Sequence, residues 1–218
     1  MRSSVVFLGP SLSLAEARLI LDAQFRPPIE RGDIDKLLRA DVPAAIGIVD
    51  GRFLQSFSIS PKEVLRGMDA GIRMFGSSSM GALRAAELMR YGMVGVGQVF
   101  GKFASGELDA DDEVAMVFDQ VDYAPLSDPL VNMRIALSAA RDRSLISEET
   151  KDRFIETARS MYFPERTYRA VVTALGPHIS DTERAALQQF FPTAPDAKHE
   201  DAIQLLHDMK AYLGSLDA

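Results

Sequence analysis

Short apolar runs alternate with helical segments through the first half of the chain, and this alternation constrains the fold more than any other feature. Four runs have the length and composition of strands: 3–9, 23–28, 44–51 and 72–76. Four segments with helical spacing follow them in turn: 13–21, 33–41, 60–71 and 79–91. Strands joined through single helices form a parallel sheet with right-handed crossovers. We therefore predict an α/β fold whose N-terminal half is a mostly parallel sheet with flanking helices.

Capping residues support the positions of these helices. Ser60 with Glu63 three residues later forms a capping box, and Gly71 follows the last turn of the same segment. Ser13 and Asp33 stand where two earlier helices are expected to begin. These local signals predict where the loops between strands and helices lie.

The pattern changes after Pro125. Before that point a helix is predicted over 96–108, and 111–118 is interpreted as an acidic turn that leads into a further strand. Amphipathic helical segments make up the rest of the chain: 127–145, 147–163, 164–176, 180–191 and 199–213. We predict an α/β core over 1–125, followed by a helical C-terminal region over 126–218 that packs on the core and is not an independent domain.

The composition excludes several kinds of chemistry. The chain has no cysteine, so it has no disulfide, no thiolate zinc site, no cysteine nucleophile and no protein-bound persulfide. Its three histidines share no metal-ligand spacing. Acidic residues are plentiful and leave a carboxylate site for magnesium open, for example at 111–113, although a solvated acidic turn is the commoner use of such residues. We expect neither a metal nor a cofactor.

The charge also limits the partners. With 24 basic and 31 acidic residues the net charge is −7, and there is no basic run. Neither a nucleic acid nor an anionic membrane surface is an expected partner. No apolar stretch approaches the ~18 residues that a membrane span needs, and Gly9 and Pro10 cut the first apolar run too short for a secretion signal. We expect a cytoplasmic protein.

A parallel sheet gathers its strand ends and the following helix starts at one edge, which is the usual place for a site. Glycine, proline, hydroxyl and charged residues concentrate there: Gly9, Pro10, Ser11, Pro27, Pro28, Arg31, Gly32, Asp33, Asp50, Gly51, Ser60, Pro61, Lys62 and 76–81. Of these, Gly9, Pro10, Ser11, Asp50 and Gly51 are predicted to bind substrate.

Three consecutive serines stand where the fourth strand enters its helix. Residues 77–81, "SSSMG", resemble the nucleophile elbow GxSxG with its first glycine replaced by serine. In this frame Ser79 is the nucleophile, and the backbone N–H groups of Met80 and Gly81 stabilise an oxyanion. Two alternatives remain at this stage: Ser79 or Ser78 only caps the helix, or the loop binds a phosphate.

The α/β half contains no histidine, so a nucleophilic serine there needs another base. Lys62 begins the preceding helix at the same edge, and serine–lysine pairs are a known variant of the catalytic triad. The helix N-terminus opposes an ammonium by only about 0.3–1 kcal/mol, so burial would have to supply most of the deprotonation. The alternative is a solvated lysine. Arg84 and Glu87 either orient a substrate carboxylate or the base, or they form a helix-surface pair, and the pair is the favoured interpretation.

The chain resembles the TfuA family, the proteins encoded beside thioamide-forming YcaO enzymes. The most specific segment is "SMGALRAAEL" at 79–88. The resemblance extends over nearly the whole chain through "VVFLGPSL", "RPPIERGDI", "IGIVDGRF", "KEVLRGMDAGIRMFGSS", "GMVGVGQVF", "DDEVAMVF", "LVNMR", "YFPERTY" and "KHEDAIQLL". Many relatives carry small residues before the motif serine, where this chain has Ser77 and Ser78.

The resemblance implies a hydrolase-like sulfur-delivery protein for peptide backbone thioamidation. It implies that Ser79 and Lys62 hydrolyse the C-terminal thiocarboxylate of a ThiS-like ubiquitin-fold sulfur carrier and release sulfide to a YcaO-type partner. A chain without cysteine cannot hold the sulfur as a persulfide, so the sulfur arrives on another protein. The alternatives are a non-catalytic adaptor that docks the carrier on YcaO, and an enzyme that uses a nucleotide phosphate at the same loop. Ser78 and Arg84 are further substrate-binding candidates.

Two macromolecular partners call for two surfaces. The loops after Gly9, Pro28 and Asp50 are expected to line a channel for the carrier tail. The segment "YFPERTYR" at 162–169, which includes Arg166, is expected to meet YcaO, because aromatic and arginine side chains are common interface anchors. A buried contact between helices is an equally ordinary use of such residues.

Overall fold

Five parallel strands form one sheet in the computed structural model, which describes residues 3–53 and 57–216. The strands are β1 (Ser4–Phe7), β2 (Gln24–Arg26), β3 (Ala45–Ile48), β4 (Arg73–Gly76) and β5 (Val94–Gly95). Their order in the sheet is β2-β1-β3-β4-β5. The prediction of a parallel α/β sheet in the N-terminal half, followed by a helical region, is confirmed.

The α-helices of the described residues were largely expected from the sequence. They are α1 (Leu14–Ile20), α2 (Asp33–Ala40), α3 (Pro61–Asp69), α4 (Met80–Leu88), α5 (Gly97–Ala104), α6 (Leu130–Asp142), α7 (Glu148–Ser160), α8 (Tyr168–Leu175), α9 (Asp181–Phe190) and α10 (Ala197–Leu216). Ser13 and Ser60 cap α1 and α3 through their side chains, as the sequence indicates. Among the described residues, no helix combines the length and the apolar character that crossing a membrane requires.

The cap of α2 differs from the prediction. Gly32, at φ +95°, occupies the cap position instead of Asp33. The buried carboxylate of Glu63 on α3 accepts hydrogen bonds from the N–H groups of Gly32 at 2.9 Å and Ile34 at 3.0 Å. A carboxylate at a helix N-terminus satisfies amides that have no partner inside the helix and favourably meets the helix dipole. Glu63 thereby fixes α3 to the start of α2.

By compactness the chain divides into two units, each described here by itself. The first comprises Met1–Asp109 with Lys198–Ala218, and the second comprises Ala110–Ala197. The sequence-based division into a core over 1–125 and a helical region over 126–218 that does not fold independently stays a prediction. In the first unit, apolar residues of α10 pack in one core with the sheet: Ala202, Leu205, Leu206 and Met209 with Val6, Val49 and Phe75.

The C-terminal helix is also anchored to α5 by a hydrogen-bonded carboxylate. Asp201 on α10 is buried and accepts from the N–H groups of Gln98 and Val99, each at 2.8 Å. The sheet leaves no space between itself and α10, because a Cβ on Gly47 would lie 2.5 Å from the sulfur of Met209. The last helix of the chain therefore belongs to the core that carries the sheet.

The acidic turn predicted at the start of 111–118 is confirmed, and the strand predicted to follow it is wrong. Residues Asp111–Glu113 form a 3₁₀ turn, and a single antiparallel bridge joins Phe118 to Pro125. The turn is held by ion pairs of its acidic side chains with two arginines, which the sequence pattern alone does not reveal. In the same unit, α6–α9 enclose a buried apolar cluster that includes Leu137, Phe154 and Val171.

Candidate active site

The loops that follow β1, β3 and β4 lie at one edge, because these three strands are adjacent and parallel. They carry Gly9–Ser11, Asp50 and Gly51, and the serines 77–79. The carboxyl ends of parallel strands form the usual ligand-binding edge of an α/β sheet. The structure therefore brings the sequence-predicted loops together.

Asp50 holds the loop after β1 in place. Its side chain is 1% exposed and accepts hydrogen bonds from Gly9 N at 2.9 Å, Ser11 N at 3.0 Å and Ser11 Oγ at 2.6 Å. A buried carboxylate with three donors is well satisfied. Asp50 was predicted to bind substrate, and in the structure its carboxylate organises the Gly9–Ser11 loop, a role that sequence reasoning did not identify.

Glycines allow close packing around this loop. A Cβ on Gly9 would lie 2.5 Å from Cγ of Pro28, and one on Gly51 would lie 2.8 Å from Cβ of Met80. Pro10 is half-buried at the same turn. The predicted substrate-binding residues of β1 and β3 thus lie beside the loop after β2 and the start of α4.

The serines 77–79 form a tight turn. Ser78 has a φ of +62°, and Ser79 N donates to Ser77 O at 2.7 Å across it. A hydrogen bond between residues i+2 and i around a central positive φ defines a γ-turn of the rare, strained kind. Ser77 and Ser78 are 0% exposed and Ser79 is 7% exposed. The strand-to-helix junction is therefore a strained turn, as in a nucleophile elbow, but the positive φ lies at Ser78 and not at the predicted nucleophile Ser79.

Ser79 does not use its hydroxyl as a helix cap. It occupies the N-cap position of α4 with φ −122° and ψ −122°, and its side chain makes no capping hydrogen bond. In the first turn of α4 the backbone carbonyls act as acceptors instead: Ala82 N donates to Ser77 O and to Ser79 O, both at 3.0 Å. The capping interpretation therefore fails for Ser79.

The two predicted oxyanion donors differ in their hydrogen bonding. Gly81 N donates to Val49 O at 3.3 Å. Within residues 3–53 and 57–216, Met80 N has no hydrogen-bond acceptor. A Cβ on Gly81 would lie 1.7 Å from Ile48 O, so the glycine is needed for the close approach of α4 to β3 and not for access of a substrate. With the amides of Ser79 and Gly81 engaged by the chain, a phosphate cradle at this helix start is poorly supported.

Lys62 is exposed in the first turn of α3. Its ammonium forms no ion pair or hydrogen bond with the part of the chain that the structure describes. Its neighbour Glu63 is buried and fixed to α2, so the backbone that carries Lys62 is well anchored. The structure thus leaves the amine accessible from solvent.

Arg84 is held by two contacts on the chain itself. Its Nε donates to Ile59 O at 2.9 Å, and its Nη1 donates to Glu87 Oε2 at 2.6 Å. The favoured pairing with Glu87 is confirmed, although the arginine is buried and not on the surface. Through Ile59, Arg84 ties α4 to the segment that leads into α3 and Lys62. The hydrogen bond between Arg84 and Ile59 could not be predicted from the sequence.

The acidic turn at 111–113 is neutralised by arginines. Arg166 Nη2 lies 2.9 Å from Asp112 Oδ2, and Arg134 contacts Glu113 through two nitrogens, the shorter distance being 2.7 Å. The described residues contain no group of three or more histidine or acidic side chains placed to hold a metal ion. The turn is therefore stabilised within its own unit.

Arg166 and Tyr168 are not surface anchors. Arg166 is 1% exposed, and burial strongly raises the pKa of the Tyr168 hydroxyl. The Tyr168 ring packs against Phe191, with 4.4 Å between ring centroids. The alternative of a buried inter-helix contact holds for the half-buried Tyr168, whereas the buried Arg166 pairs with the turn at Asp112, and Tyr162 is the exposed aromatic of this segment.

A protein-family model matches the middle of the chain. The model of the TfuA-like proteins matches residues 50–167, more than half of the chain. The matched range includes Asp50, Lys62 and the turn at 77–81, and it leaves the loop after β1 outside. No curated protein matches the chain.

Proposed function

The chain belongs to the TfuA-like family, and from this premise we propose that it is a serine hydrolase that releases sulfide from a protein thiocarboxylate for a YcaO partner. Family membership supports the coarser role in YcaO-related thioamide biosynthesis. The substrate proposed is the C-terminal thiocarboxylate of a ThiS-like sulfur carrier. The observation that carries the proposal is the strained serine turn, in which the Ser79 hydroxyl is not engaged as a helix cap.

In the first step the Ser79 Oγ attacks the carbonyl carbon of the thiocarboxylate. A new carbon–oxygen bond forms, Lys62 Nζ accepts the serine proton, and the Met80 N–H donates to the oxygen that gains charge. The carbon–sulfur bond then breaks, and its electron pair leaves with the sulfur. The proton held by Lys62 returns to the departing sulfur, so the product is hydrosulfide and an acyl-serine.

In the second step water cleaves the acyl-serine. Lys62 takes a proton from the attacking water, the carbon–oxygen bond to Ser79 breaks, and the proton returns to the serine oxygen. The carrier leaves with an ordinary C-terminal carboxylate. Hydrosulfide leaves far more readily than an amine, so no separate general acid is required.

The exposed position of Lys62 sets a condition on this mechanism. An ammonium cannot accept a proton, and removal of water from the amine favours its neutral form. A carrier tail docked between the Gly9–Ser11 loop and Ser79 would bury the amine. We propose that carrier binding itself activates Lys62, and that Asp50 keeps the Gly9–Ser11 loop in the position the tail needs.

A non-catalytic adaptor is the second candidate function, and the exposure of Lys62 favours it. An exposed lysine with no ion pair or hydrogen bond among the described residues fits a contact to the thiocarboxylate anion as well as it fits a catalytic base. In that case the chain would hold the carrier near YcaO without breaking the carbon–sulfur bond.

The deciding experiment incubates the chain with a thiocarboxylated carrier, without YcaO, and follows sulfide together with the intact mass of the carrier. A hydrolase exchanges one sulfur for one oxygen in each carrier and releases one sulfide, at a rate proportional to the amount of chain. An adaptor binds the carrier and leaves its mass unchanged. A carrier that loses sulfur only when YcaO and its peptide are added supports the adaptor.

A further inference from the structure

An exposed pair of an arginine and a phenylalanine lies at the edge of the sheet that carries the candidate site, and it has no role in the serine–lysine mechanism. Phe57 is 73% exposed, and of the phenylalanines, all of which the structure describes, it alone is exposed. The guanidinium carbon of the exposed Arg31 lies 4.8 Å from the centre of the Phe57 ring, a cation–π contact. The pair therefore presents an apolar surface and a positive charge side by side to solvent.

The backbone around this pair is held in place on both sides. Arg31 N donates to Phe57 O at 2.8 Å, which joins the loop after β2 to the segment before α3. Gly32 N, the next amide, donates to the buried Glu63 carboxylate at 2.9 Å, and Ile59, two residues after Phe57, is fully buried. A side chain that is already ordered loses little conformational freedom when a partner binds. The Phe57 ring is thus exposed on a fixed backbone and is prearranged for contact with a partner.

The charge of Arg31 is not neutralised by a neighbouring carboxylate. Within residues 3–53 and 57–216, neither the Arg31 guanidinium nor the exposed Lys62 ammonium forms an ion pair. Arg52, which follows β3, differs from them because it lies 3.6 Å from a carboxylate oxygen of Glu30. On a chain of net charge −7, two cations without a carboxylate partner make this edge locally positive. Acidic side chains of a partner are attracted to such a region.

The pair also lies near the path proposed for the carrier tail. Ile29, two residues before Arg31, forms a parallel bridge with Gly51, which follows β3. The next strand of the sheet is β4, which leads into the serine turn. Two strand spacings, about 10 Å, therefore separate the line of Ile29 from that of β4. An extended tail of about three residues spans this distance.

We infer that Arg31 and Phe57 form the docking site for the folded body of the sulfur carrier. The Phe57 ring packs on an apolar side chain of the carrier, and the Arg31 guanidinium pairs with a carboxylate beside it, at the base of the tail. Aromatic and arginine side chains are the usual anchors of protein interfaces. This inference rests on the proposed function for the identity of the partner. It holds whether the chain hydrolyses the thiocarboxylate or only binds it.

The first test measures sulfide release from two substrates, the whole thiocarboxylated carrier and a thiocarboxylated peptide of its tail alone. Arg31→Glu and Phe57→Ala are each expected to raise KM for the whole carrier about tenfold, with kcat little changed. With the tail peptide, both variants should match the wild type. Arg90→Glu and Leu19→Ala, at exposed positions of the same unit, are the matched controls and should keep the wild-type KM.

Two results of this test would overturn the inference. One is a wild-type KM for the whole carrier in either Arg31→Glu or Phe57→Ala. The other is an equal rise in KM for the tail peptide, because the pair would then bind the tail and not the body of the carrier.

A binding measurement separates this inference from the proposed hydrolysis. Titration calorimetry with the carrier in its ordinary carboxylate form involves no reaction. The Kd is expected to rise about tenfold in Arg31→Glu, and the difference from the wild type should shrink at high salt, because salt screens exposed charges. Weaker binding by Arg31→Glu supports the docking site even if the wild type releases no sulfide, a result that would refute only the hydrolase. Equal Kd values for the two proteins, or a wild type that does not bind the carrier, would overturn the inference.

Discussion

At the residue scale, three adjacent serines have three different environments. Ser77 N is bound to Ile48 O at the end of the sheet, Ser78 is strained at a positive φ, and Ser79 begins the helix. Their side chains are chemically identical, so the sequence cannot rank them. The backbone distinguishes them, because it leaves Ser77 and Ser78 0% exposed and Ser79 7% exposed.

Replacement of Ser79 by alanine is expected to abolish sulfide release and to leave the fold unchanged. The side chain makes no capping bond to α4, so the substitution removes no cap from the helix and the protein is expected to stay folded. Sulfide release and thermal unfolding are measured in parallel. Ser105→Ala, an exposed serine after α5, is the control. Undiminished release by a folded Ser79→Ala protein would rule out the nucleophile assignment.

The role of Lys62 is tested by comparing Lys62→Arg with Lys62→Ala. Arginine keeps the positive charge and stays protonated at every working pH, so it cannot act as a base. Both variants are expected to lose most of the sulfide release if Lys62 is the base. Lys36→Arg, an exposed lysine of α2, serves as the control and should be fully active. If Lys62→Arg retains most of the rate, the lysine acts as an electrostatic contact, as the adaptor function would have it.

At the scale of elements, α4 touches the sheet through a glycine that no other residue can replace without movement. Gly81→Ala would place a Cβ 1.7 Å from the Ile48 carbonyl oxygen. We expect a loss of at least about 3 kcal/mol of unfolding free energy, since the backbone of β3 must shift. Gly101→Ala on α5 is the matched control, because a Cβ there meets no atom within 4 Å. Helix propensity predicts a gain of about 1 kcal/mol for that variant, and equal stabilities of the two would contradict the packing described.

The contact between the starts of α7 and α9 predicts a pH dependence. Glu183 Oε1 accepts from Ser147 N at 2.8 Å, and these hydrogen bonds lower the Glu183 pKa from 4.5 to about 2. A lowered pKa contributes stability that is present above the unfolded value and is lost as the pH falls through the folded value. Glu183→Gln should therefore cost about 1–2 kcal/mol at pH 7, a figure reduced for solvent screening.

The difference between wild type and Glu183→Gln should shrink as the pH falls from 4.5 towards 2. Urea unfolding at a series of pH values measures it. Glu156→Gln, an exposed glutamate of α7, is the control and should show no such trend. A Glu183→Gln penalty that is constant with pH would show that shape and not charge stabilises this contact.

The sequence predicts those elements whose signals are local. β1 to β4 follow from apolar runs, and the caps Ser13 and Ser60 act within three residues. β5 was missed because a strand of two residues has no readable period. The cap of α2 was assigned to the wrong residue because its carboxylate comes from Glu63, about thirty residues further along the chain.

The candidate site shows the same limit. The sequence placed the loops at one edge, because a parallel topology alone determines that arrangement. It did not identify the bonds of Asp50 to the Gly9–Ser11 loop, the γ-turn at Ser78 or the contact between Arg84 and Ile59. These features depend on contacts between residues distant in the sequence or on a backbone angle. Residue spacing in the sequence predicts neither of the two.

At the scale of the whole molecule, the family match does not stop at the unit that holds the serine turn. It begins at residue 50, within the first compact unit, and ends at residue 167, within the second. Hydrolysis by Ser79 and Lys62 does not by itself require the helices from α6 to the start of α8, which the family match includes. We therefore expect the helical unit to bind the second partner, YcaO, and the edge of the sheet to bind the carrier.

This division of labour predicts separate effects of two exposed tyrosines. Tyr162, 64% exposed, lies in the helical unit, and Tyr91, 68% exposed, lies in the unit of the sheet. Tyr162→Ala is expected to weaken YcaO binding about tenfold, a loss of about 1.4 kcal/mol, and to leave sulfide release unchanged. Tyr91→Ala, the matched control, should change neither quantity.

Arg166→Ala cannot replace Tyr162→Ala in this test, because it would leave Asp112 without its partner and destabilise the unit. If Tyr162→Ala lowers sulfide release while YcaO affinity stays unchanged, the helical unit acts on the carrier and the proposed division is wrong.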